Sequence, residues 1–538
     1  MAEEKWALVS VYNKPGIEEY VRRLVKMGWK IISTDGTAKK LTEAGIPVRD
    51  VAELVGGGAI LGKRVKTLSR EVHSGLLADP EKPKDMEELM TLGIPFIDMV
   101  ICDFYPIRRA IAEEGATIES VIELTDIGGP CMVRSAAKGG RIVVCRVSDR
   151  ELVLKELEST GSVSKNTRQK LRARAEFEVA KYVLDSARFH GNGEFEGFMG
   201  ERIASIPKGE NGPQSPAALY ETCSTDVLAL SRFQIIAGQP LSYNNYVDLD
   251  RLLQTMTHIG AAWRRLGSRP CIAIIVKHGN PCGAGVGKTE LEAVTKAAKG
   301  DSLAAFGGLV MTNFAITQDI AHKLVTAGMK KGQIQKFDSV IAPAFGKGVD
   351  EFLARKGGRC RLVINPAIEV CWSDLDFATR FRYARSNFLT QPNYTFVLDL
   401  MKAEVASGNR VTRRIEEDVL LAWAICATSN SNTITVVKNR TLLVNGVGQQ
   451  SRLWAAKLVK MRGKDTGHEK QLLGSVACSD SFFPYDDAVL VLINAGVTTI
   501  FTTSGSQIGD KKVRALCQKR GIQLLMMPDA EARGFFGH

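Results

Sequence analysis

The amino-acid sequence predicts an α/β protein with more than one domain, and three observations favour this class. Apolar, β-branched runs of strand length alternate along the chain with segments of helical spacing. Polar and glycine residues gather where the apolar runs end, as in doubly wound sheets that bind ligands at strand ends. The 538 residues exceed what one hydrophobic core usually supports, which predicts two to four domains.

The first elements follow this pattern. A strand is predicted at Trp6–Val11. A helix follows, with apolar residues at helical spacing from Ile17 to Val25, and Gly28 ends it. A second strand is predicted at Trp29–Ser33. The loop Thr34–Thr37 then leads into a helix expected from Ala38. Hydroxyls and a glycine at a helix N-terminus suit a phosphate group, although the same residues also make a turn with a helix cap.

A basic loop follows, with Lys63, Arg64 and Lys66 set among glycines and hydroxyls. Such a loop suits an anion, and it is equally an ordinary solvated basic loop. A buried strand is predicted at Phe96–Cys102, and the sequence Asp126–Gly129 precedes a further helix. Repeated strand and helix units predict a doubly wound parallel sheet with polar groups at its strand ends.

Residues 150–195 are charged and helical and are predicted to form a connector to a second region near Gly197. There the segments Ile206–Gln214 and Pro240–Asn245 are predicted loops, the second preceding a helix from Asp248.

The stretch Cys271–Gly287 combines a predicted buried strand with a chemically active pair. Six apolar residues stop at Lys277 and His278, and the glycines, proline and asparagine that follow are predicted to form a tight loop. The pair is therefore a candidate acid-base centre, the alternative being a turn histidine with satisfied hydrogen bonds. The same order of elements returns from Glu417, which predicts two similar halves in this region.

Composition limits the class of function. No apolar run approaches the roughly 20 residues that cross a bilayer, and the first residues lack the apolar core of a secretory signal, so a cytoplasmic protein without membrane contact is expected. The eleven cysteines form no CxxC pair and predict no disulfide framework. The net charge of +12 fits small anionic substrates, and without dense basic runs among aromatics no nucleic-acid binding is expected.

Short motifs in a fixed order carry a family resemblance. They are GTAK, GKRVKTL, Tyr105-Pro106, DIGG, RSAAK, GEN, LSYNN, VKHGNPCG, AFGG, GVGQQSR and SDSFFPY. Together they resemble the bifunctional purine-biosynthesis family of AICAR transformylase/IMP cyclohydrolase. The resemblance covers nearly the whole chain.

The resemblance implies a fold and two reactions. It implies a methylglyoxal-synthase-like, doubly wound cyclohydrolase domain over 1–196, including the helical connector. It also implies a transformylase domain over 197–538, built from two cytidine-deaminase-like α/β/α subdomains at about 197–375 and 376–538. AICAR would receive a formyl group from 10-formyl-tetrahydrofolate, and formyl-AICAR would then close to IMP, in a homodimer with shared transformylase sites.

The resemblance also implies site residues. In the transformylase, His278 would accept the amine proton and Lys277 would stabilise negative charge on the carbonyl oxygen. In the cyclohydrolase, Asp126 and Lys138 would move protons while Lys66 and Tyr105 hold the formyl oxygen. The remaining positions implied for substrate binding are Ser10, Lys14, Thr34, Gly36, Thr37, Arg64, Thr67, Asp103, Gly128, Lys208, Asn245, Gly307, Asn432, Arg452, Phe482 and Arg533.

Several positions depart from the family pattern. Pro207-Lys208 replace an arginine-tyrosine pair, and Pro213 replaces a histidine. Asp103 replaces an asparagine, and Ser69 replaces a histidine. The spacing to His538 is one residue longer than expected, so no role is carried to it. Retention of one activity only, another formyl donor, or a non-catalytic nucleotide sensor remain alternatives. Pro281-Cys282 lacks the HxE and second cysteine of zinc deaminases, so no metal is expected.

Overall fold

A computed structural model describes residues 4–62, 64–222 and 225–538. The chain forms two compact units, Met1–Met199 and Gly200–His538. Lys63 of the predicted basic loop lies outside the described residues. None of the described helices is long and apolar enough to cross a membrane.

The first unit is an alternation of strands and helices. Its strands are β1 (Trp6–Ser10), β2 (Lys30–Ser33), β3 (Arg49–Asp50), β4 (Ile97–Cys102) and β5 (Ile142–Val144). Its helices are α1 (Ile17–Lys26), α2 (Asp35–Glu43), α3 (Val51–Leu54), α4 (Arg70–Leu77), α5 (Pro83–Thr91), α6 (Ile107–Ala112), α7 (Ile118–Glu123), α8 (Gly128–Lys138), α9 (Val147–Thr160) and α10 (Lys165–His190).

These strands form one parallel sheet in the order β3-β2-β1-β4-β5. One face packs against α1 and α9, and the other against α4, α8 and α10. The chain leaves β1 toward β2 on one side and reaches β4 on the other, so a topological switch point lies between β1 and β4. Ligands of open α/β sheets bind at the carboxyl ends of strands at such a point. The predicted connector is thus part of the first unit, because α10 covers β5 and α8.

The second unit has many more strands. They are β6 (Glu201–Ile206), β7 (Ala217–Glu221), β8 (Gln234–Ala237), β9 (Cys271–Lys277), β10 (Asn280–Gly287), β11 (Leu309–Thr312), β12 (Ser339–Ala342), β13 (Arg361–Ile364), β14 (Thr379–Ala384), β15 (Asn387–Pro392), β16 (Glu404–Ser407), β17 (Ile434–Lys438), β18 (Thr441–Gly446), β19 (Ser475–Ser479), β20 (Val497–Ser504) and β21 (Gln523–Pro528).

The helices of this unit lie between those strands. They are α11 (Tyr243–Arg265), α12 (Glu290–Ala298), α13 (Gln318–Thr326), α14 (Asp350–Leu353), α15 (Ala367–Val370), α16 (Arg413–Ala427), α17 (Arg452–Asp465), α18 (Asp487–Asn494), α19 (Gly509–Arg520) and α20 (Asp529–Ala532), with a short 3-10 helix at Leu230–Arg232.

The second unit is an internal duplication within one 12-stranded sheet. From the centre outward, one half runs β10-β9-β11-β12-β13-β8 and the other β18-β17-β19-β20-β21-β16. In chain order, each half begins with an edge strand, continues with a long helix and an antiparallel hairpin, and then adds three parallel strands, the last of which pairs antiparallel with the edge strand. The two hairpins meet at the centre, where Gly285 pairs with Thr441.

Helices cover both faces of this sheet. The long helices α11 and α16 share one large core on one face. On the other face, α12 and α13 cover the first half, and α17, α18 and α19 cover the second. Strand β9 contributes alternate residues to both cores, which explains why its sequence is apolar throughout.

The glycine-rich segment after His278 is a strand, contrary to the predicted loop. Only His278 and Gly279 form the turn, and Asn280–Gly287 pairs antiparallel with β9. A Cβ atom on Gly283 would lie 2.4 Å from the Ala297 carbonyl oxygen, and one on Gly285 would lie 2.4 Å from that of Ala293. These alternate glycines therefore allow α12 to approach the strand, and they do not mark turns.

Two predicted helix starts are also wrong. Helix α2 begins at Asp35, so Asp35–Thr37 form its first turn and Thr34 is its N-cap. Helix α11 begins at Tyr243 rather than Asp248, because Ser242 and Asn245 form a capping box. In both places polar residues that suggested a loop are the cap and first turn of a helix.

Candidate active sites

The first candidate site lies at the switch point of the parallel sheet. Ser10 ends β1, and its hydroxyl lies 2.9 Å from that of Thr34, the N-cap of α2. The Thr37 hydroxyl bonds to the backbone of Val11, accepting from its N–H at 3.3 Å and donating to its carbonyl at 3.2 Å. These bonds hold the end of β1 against the N-terminus of a nine-residue helix, a place that favours anions.

Lys14 approaches the same helix terminus. A Cβ atom on Gly36 would lie 3.8 Å from Cε and 4.0 Å from Nζ of Lys14. The structure thus brings together five residues predicted to bind substrate around a phosphate: Ser10, Lys14, Thr34, Gly36 and Thr37.

Asp103 holds the loop after β1. Its carboxylate accepts hydrogen bonds from the backbone N–H groups of Tyr12 and Asn13. Burial raises the pKa of this carboxyl, and the two backbone bonds oppose the rise. Asp103 therefore positions the loop that carries Lys14, while placing a carboxylate near the proposed phosphate site.

Asp126 lies just before α8 and is bonded to the loop that follows β4. Its Oδ1 accepts from the Gly129 N–H at 2.9 Å, and its Oδ2 accepts from the Tyr105 N–H at 3.4 Å. Its own N–H donates to the Tyr182 hydroxyl at 2.7 Å. Burial raises the pKa of the Asp126 carboxyl. A cavity of about 290 Å³ adjoins this group and is lined by Asp103, Tyr105 and Tyr182.

The other predicted cyclohydrolase residues divide into two sets. Thr67 lies against Gly128, where an added Cβ would be 2.8 Å from the Thr67 hydroxyl oxygen, and Lys66 pairs with Asp35 of α2. Arg64 instead pairs with Glu123 at 3.4 Å, and both side chains are largely exposed.

Lys138 does not meet Asp126. Asp126 precedes α8 and Lys138 is its last residue, so the 11-residue helix separates them by about 15 Å along its axis. The Lys138 side chain is exposed. The two residues predicted to move protons in ring closure therefore lie at opposite ends of α8.

The second candidate site is the tip of the β9–β10 hairpin. His278 and Gly279 have positive φ angles of 52° and 69°, as a two-residue type I′ turn requires. The Asp248 carboxylate on α11 accepts the Gly279 N–H at 2.6 Å, and burial raises the pKa of that carboxyl. The Lys277 ammonium donates to the Phe306 carbonyl at 2.5 Å. Hydrogen bonds thus fix both the Lys277 side chain and the turn that contains His278.

Asn280 joins this tip to the other half of the sheet. Its side-chain nitrogen donates to the His278 carbonyl at 3.0 Å, and its side-chain oxygen accepts the Asn430 N–H at 3.0 Å. The C-terminal tail reaches the same loop, because the Ser431 N–H donates to the Gly537 carbonyl at 3.0 Å. The β9–β10 hairpin, the Ser429–Asn432 loop and the tail therefore converge.

The tail is fixed by an aromatic residue between two cations. The Phe536 ring lies 3.6 Å from the Arg251 guanidinium and 3.8 Å from that of Arg380, measured to the ring centroid. Such cation–π contacts favour one position of the tail.

Asn432 and Arg452 form an internal network beside this loop. The Arg452 guanidinium donates to the Asn432 side chain at 2.7 Å and forms an ion pair with Asp480. Asn432 also donates to the Gln449 carbonyl at 2.8 Å. These polar atoms already have protein partners, so the network shapes the loop whether or not it also contacts a substrate.

The remaining predicted transformylase residues differ in their surroundings. Gly307, with φ 73°, follows the carbonyl that accepts from Lys277. Asn245 is buried as part of the α11 cap, and Lys208 is exposed in the loop between β6 and β7. Phe482 is half-buried beside Gly505, and Arg533 is exposed and pairs with Asp529 at 3.6 Å.

Comparison with known proteins decides the family. A family model described as AICARFT/IMPCHase bienzyme matches residues 136–462, more than half of the chain. The chain belongs to the AICARFT/IMPCHase bienzyme family. An MGS-like domain matches residues 16–131, within the first unit. A solved structure entitled "Crystal structure of ForH" is similar at 32% identity, over 36% of this chain and 100% of that chain, with a TM-score of 0.32.

The matches confirm the family and the fold class inferred from the motifs. An MGS-like domain precedes the AICARFT/IMPCHase domain, and both consist of helices and parallel or mixed sheets. Membership of the AICARFT/IMPCHase family supports a bifunctional role in purine biosynthesis.

In this AICARFT/IMPCHase chain Cys282 is a core residue. It lies in β10, its thiol donates to the Ile275 carbonyl at 3.6 Å, and burial raises its pKa to about 12. Among the described residues, no three His, Cys, Asp or Glu side chains are grouped so as to hold a metal ion.

Sequence reasoning missed several residues that shape the second candidate site of this AICARFT/IMPCHase chain. Asp248, Asn280 and Asn430 hold the hairpin and its neighbouring loop, and Phe536 holds the tail. Asn280 lies within the VKHGNPCG motif, where its residue type indicates a turn. Asp248 precedes its hydrogen-bond partner by 31 residues, and no local pattern connects the two.

Proposed function

We propose that the chain catalyses the last two steps of IMP synthesis, formyl transfer to AICAR and ring closure of formyl-AICAR. The observation that carries the first step is the anchored hairpin tip, where Lys277 and His278 lie on a turn held by Asp248 and joined to Asn430. The second step rests on the cluster at the switch point of the first unit.

In the transfer, the 5-amino nitrogen of AICAR attacks the formyl carbon of 10-formyl-tetrahydrofolate. The new C–N bond produces an oxyanion that the Lys277 ammonium stabilises, and His278 accepts a proton from the amine. The bond from the formyl carbon to N10 then breaks, and N10 takes up a proton as tetrahydrofolate leaves. The products are formyl-AICAR and tetrahydrofolate, without net oxidation or reduction.

In the ring closure, the carboxamide nitrogen of formyl-AICAR attacks the formyl carbon. The Asp126 carboxylate accepts a proton from that nitrogen and returns it to the formyl oxygen, which Lys66 and Tyr105 hold. The formamido nitrogen then gives up its own proton to the same oxygen, the C–O bond breaks, and water leaves as the C=N bond of the ring forms. The phosphate lies at the N-terminus of α2 with Ser10, Lys14 and Thr37. Lys138 remains a prediction from the family resemblance, since it does not reach Asp126 here.

A cavity beside the hairpin supports an anionic co-substrate. Phe306, whose carbonyl accepts from Lys277, also lines a cavity of about 290 Å³. Lys336 and Arg359 line the same cavity, as does Arg355, which pairs with Asp338. Cations at this place suit the carboxylates of a reduced folate, and we expect 10-formyl-tetrahydrofolate as the donor in a homodimer.

Two assays test the proposal separately. Purified chain with AICAR is offered 10-formyl-tetrahydrofolate or formate, and formyl-AICAR and IMP are measured. Formyl-AICAR is supplied alone in the second assay. Formation of IMP in both supports the bifunctional assignment, and absence of either product removes that activity. A non-catalytic nucleotide sensor predicts binding without product in both assays.

A further inference from the structure

The second half of the large sheet contains a hairpin built like the catalytic one. In the β17–β18 hairpin, Asn439 and Arg440 have positive φ angles of 54° and 59°, matching His278 and Gly279. Lys438 precedes this turn as Lys277 precedes the other. The internal duplication thus places a second lysine at the same position of its hairpin.

The two hairpins also have the same anchors. Asp418 on α16 accepts the N–H of Arg440, as Asp248 on α11 accepts that of Gly279 at the matching position, and Asp418 also accepts the Asn439 N–H at 2.9 Å. The Lys438 ammonium donates to the Leu473 carbonyl just before β19, as Lys277 donates to Phe306 before β11. The geometry that fixes the catalytic turn is therefore present twice.

The chemistry of the two turns differs. Where the first turn has His278, the second has Asn439, whose amide does not titrate near neutral pH and so is not an acid-base group. The second hairpin retains the cation but has no acid-base group at the matching position. It is suited to bind an anion rather than to transform one.

A cavity of about 450 Å³ lies at this second hairpin. Lys438, Asn439, Thr441 and the ends of α12 and α17 line it. Its size falls within the range of small-molecule sites, about 300–1,000 Å³.

The charge of the cavity is positive. Lys296, Lys299 and Lys438 line it, and its described lining contains no carboxylate. Lys296 pairs with Glu292 at 2.6 Å, whereas Lys299 and Lys438 form no ion pair with any described residue. Nearby Asp301 pairs with Arg462, so it does not neutralise these lysines.

We propose that this cavity is a second, non-catalytic site that binds a phosphate monoester of nucleotide size. Lys299 and Lys438 contact the phosphate as point charges. The hydroxyl and amide groups of the lining form hydrogen bonds with the sugar. The site is distinct from the transfer site because it surrounds the other hairpin of the duplication.

Titration calorimetry on the full chain tests this site with AMP, ribose 5-phosphate, inorganic phosphate and adenosine as probes. AMP and ribose 5-phosphate are expected to bind. The double change Lys299→Gln with Lys438→Gln should weaken that binding at least about tenfold, since it removes both unpaired charges. The matched change Lys511→Gln with Lys512→Gln, on exposed residues of α19, should leave binding unchanged.

A further variant separates this site from the proposed transfer site. In Lys277→Ala the AMP binding assigned to the second site should persist. Loss of that binding in Lys277→Ala, equal binding of adenosine and AMP, or binding insensitive to Lys299 and Lys438 would each overturn the proposal. Binding of inorganic phosphate alone would also overturn it, because the ligand would not be an ester. None of these readouts requires turnover, so failure of the proposed reactions leaves the test intact.

Discussion

At the scale of single residues, Asp103 shows how one departure from the family pattern is accommodated. Its carboxylate accepts hydrogen bonds from the backbone N–H groups of Tyr12 and Asn13, so this position requires a hydrogen-bond acceptor. Asparagine also supplies an acceptor oxygen, and in addition a donor without negative charge. The charge of Asp103 is thus unnecessary for the loop and unfavourable for a bound phosphate.

The change Asp103→Asn is therefore expected to lower the KM for formyl-AICAR in ring closure by several-fold. Loss of a nearby like charge favours the bound phosphate, and the loop keeps one hydrogen bond. Steady-state kinetics at low ionic strength measures the effect, with the KM for AICAR in formyl transfer as the control. A higher KM for formyl-AICAR would show that the carboxylate itself assists binding.

At the scale of elements, Gly285 illustrates why a glycine-rich strand was predicted as a loop. Gly283, Gly285 and Gly287 recur at every second position, which is the period of a strand. Composition alone suggests turns, and the reason for these glycines lies in α12, whose backbone occupies the space of their Cβ atoms. That contact is tertiary and could not be inferred from local sequence.

The change Gly285→Ala should lower the free energy of unfolding of the second unit by about 1–3 kcal/mol, because its Cβ overpacks the α12 backbone. Denaturant unfolding measures the loss. Gly212→Ala is the control, since a Cβ there meets nothing within 4 Å and its φ is not positive. Equal stability of the two variants would contradict the close helix–strand contact.

The hairpin anchors give a second prediction at this scale, with its control in the same fold. Asp248→Ala removes the acceptor that holds the catalytic turn, so kcat for formyl transfer should fall at least about tenfold. Asp418→Ala removes the matching anchor of the second hairpin and should leave kcat much closer to the parent.

Rates of formyl transfer with saturating AICAR and donor compare the two variants, and circular dichroism checks that both fold. Asp248→Asn, which keeps an acceptor oxygen, should recover part of the rate. Similar losses in Asp248→Ala and Asp418→Ala would mean that the anchors act on stability and not on the catalytic turn.

At the scale of the whole molecule, the sequence predicted more of the fold than of the sites. The buried runs at β1, β4 and β9 identified strands, and the repeated element order identified the duplication. The sites depend on distance in space. Asp126 precedes α8 and Lys138 ends it, so the length of this helix keeps them apart. Asn280 and Asn430 are 150 positions apart, yet they are bonded.

The duplication also allows the two hairpins to be compared within one chain. Two hairpins share a lysine, an aspartate anchor and a turn with positive φ angles, and differ at His278 against Asn439. Asparagine adopts positive φ at least as readily as histidine, so it fits the turn. His278→Asn should therefore fold like the parent while removing the proton acceptor.

The most direct measurement is the rate of both half-reactions in His278→Asn. We expect formyl transfer to fall by about two to four powers of ten while ring closure of formyl-AICAR keeps the parent rate. Formyl transfer at the parent rate in a folded His278→Asn protein would contradict the assignment of His278 as the proton acceptor and of the β9–β10 hairpin as the transfer centre.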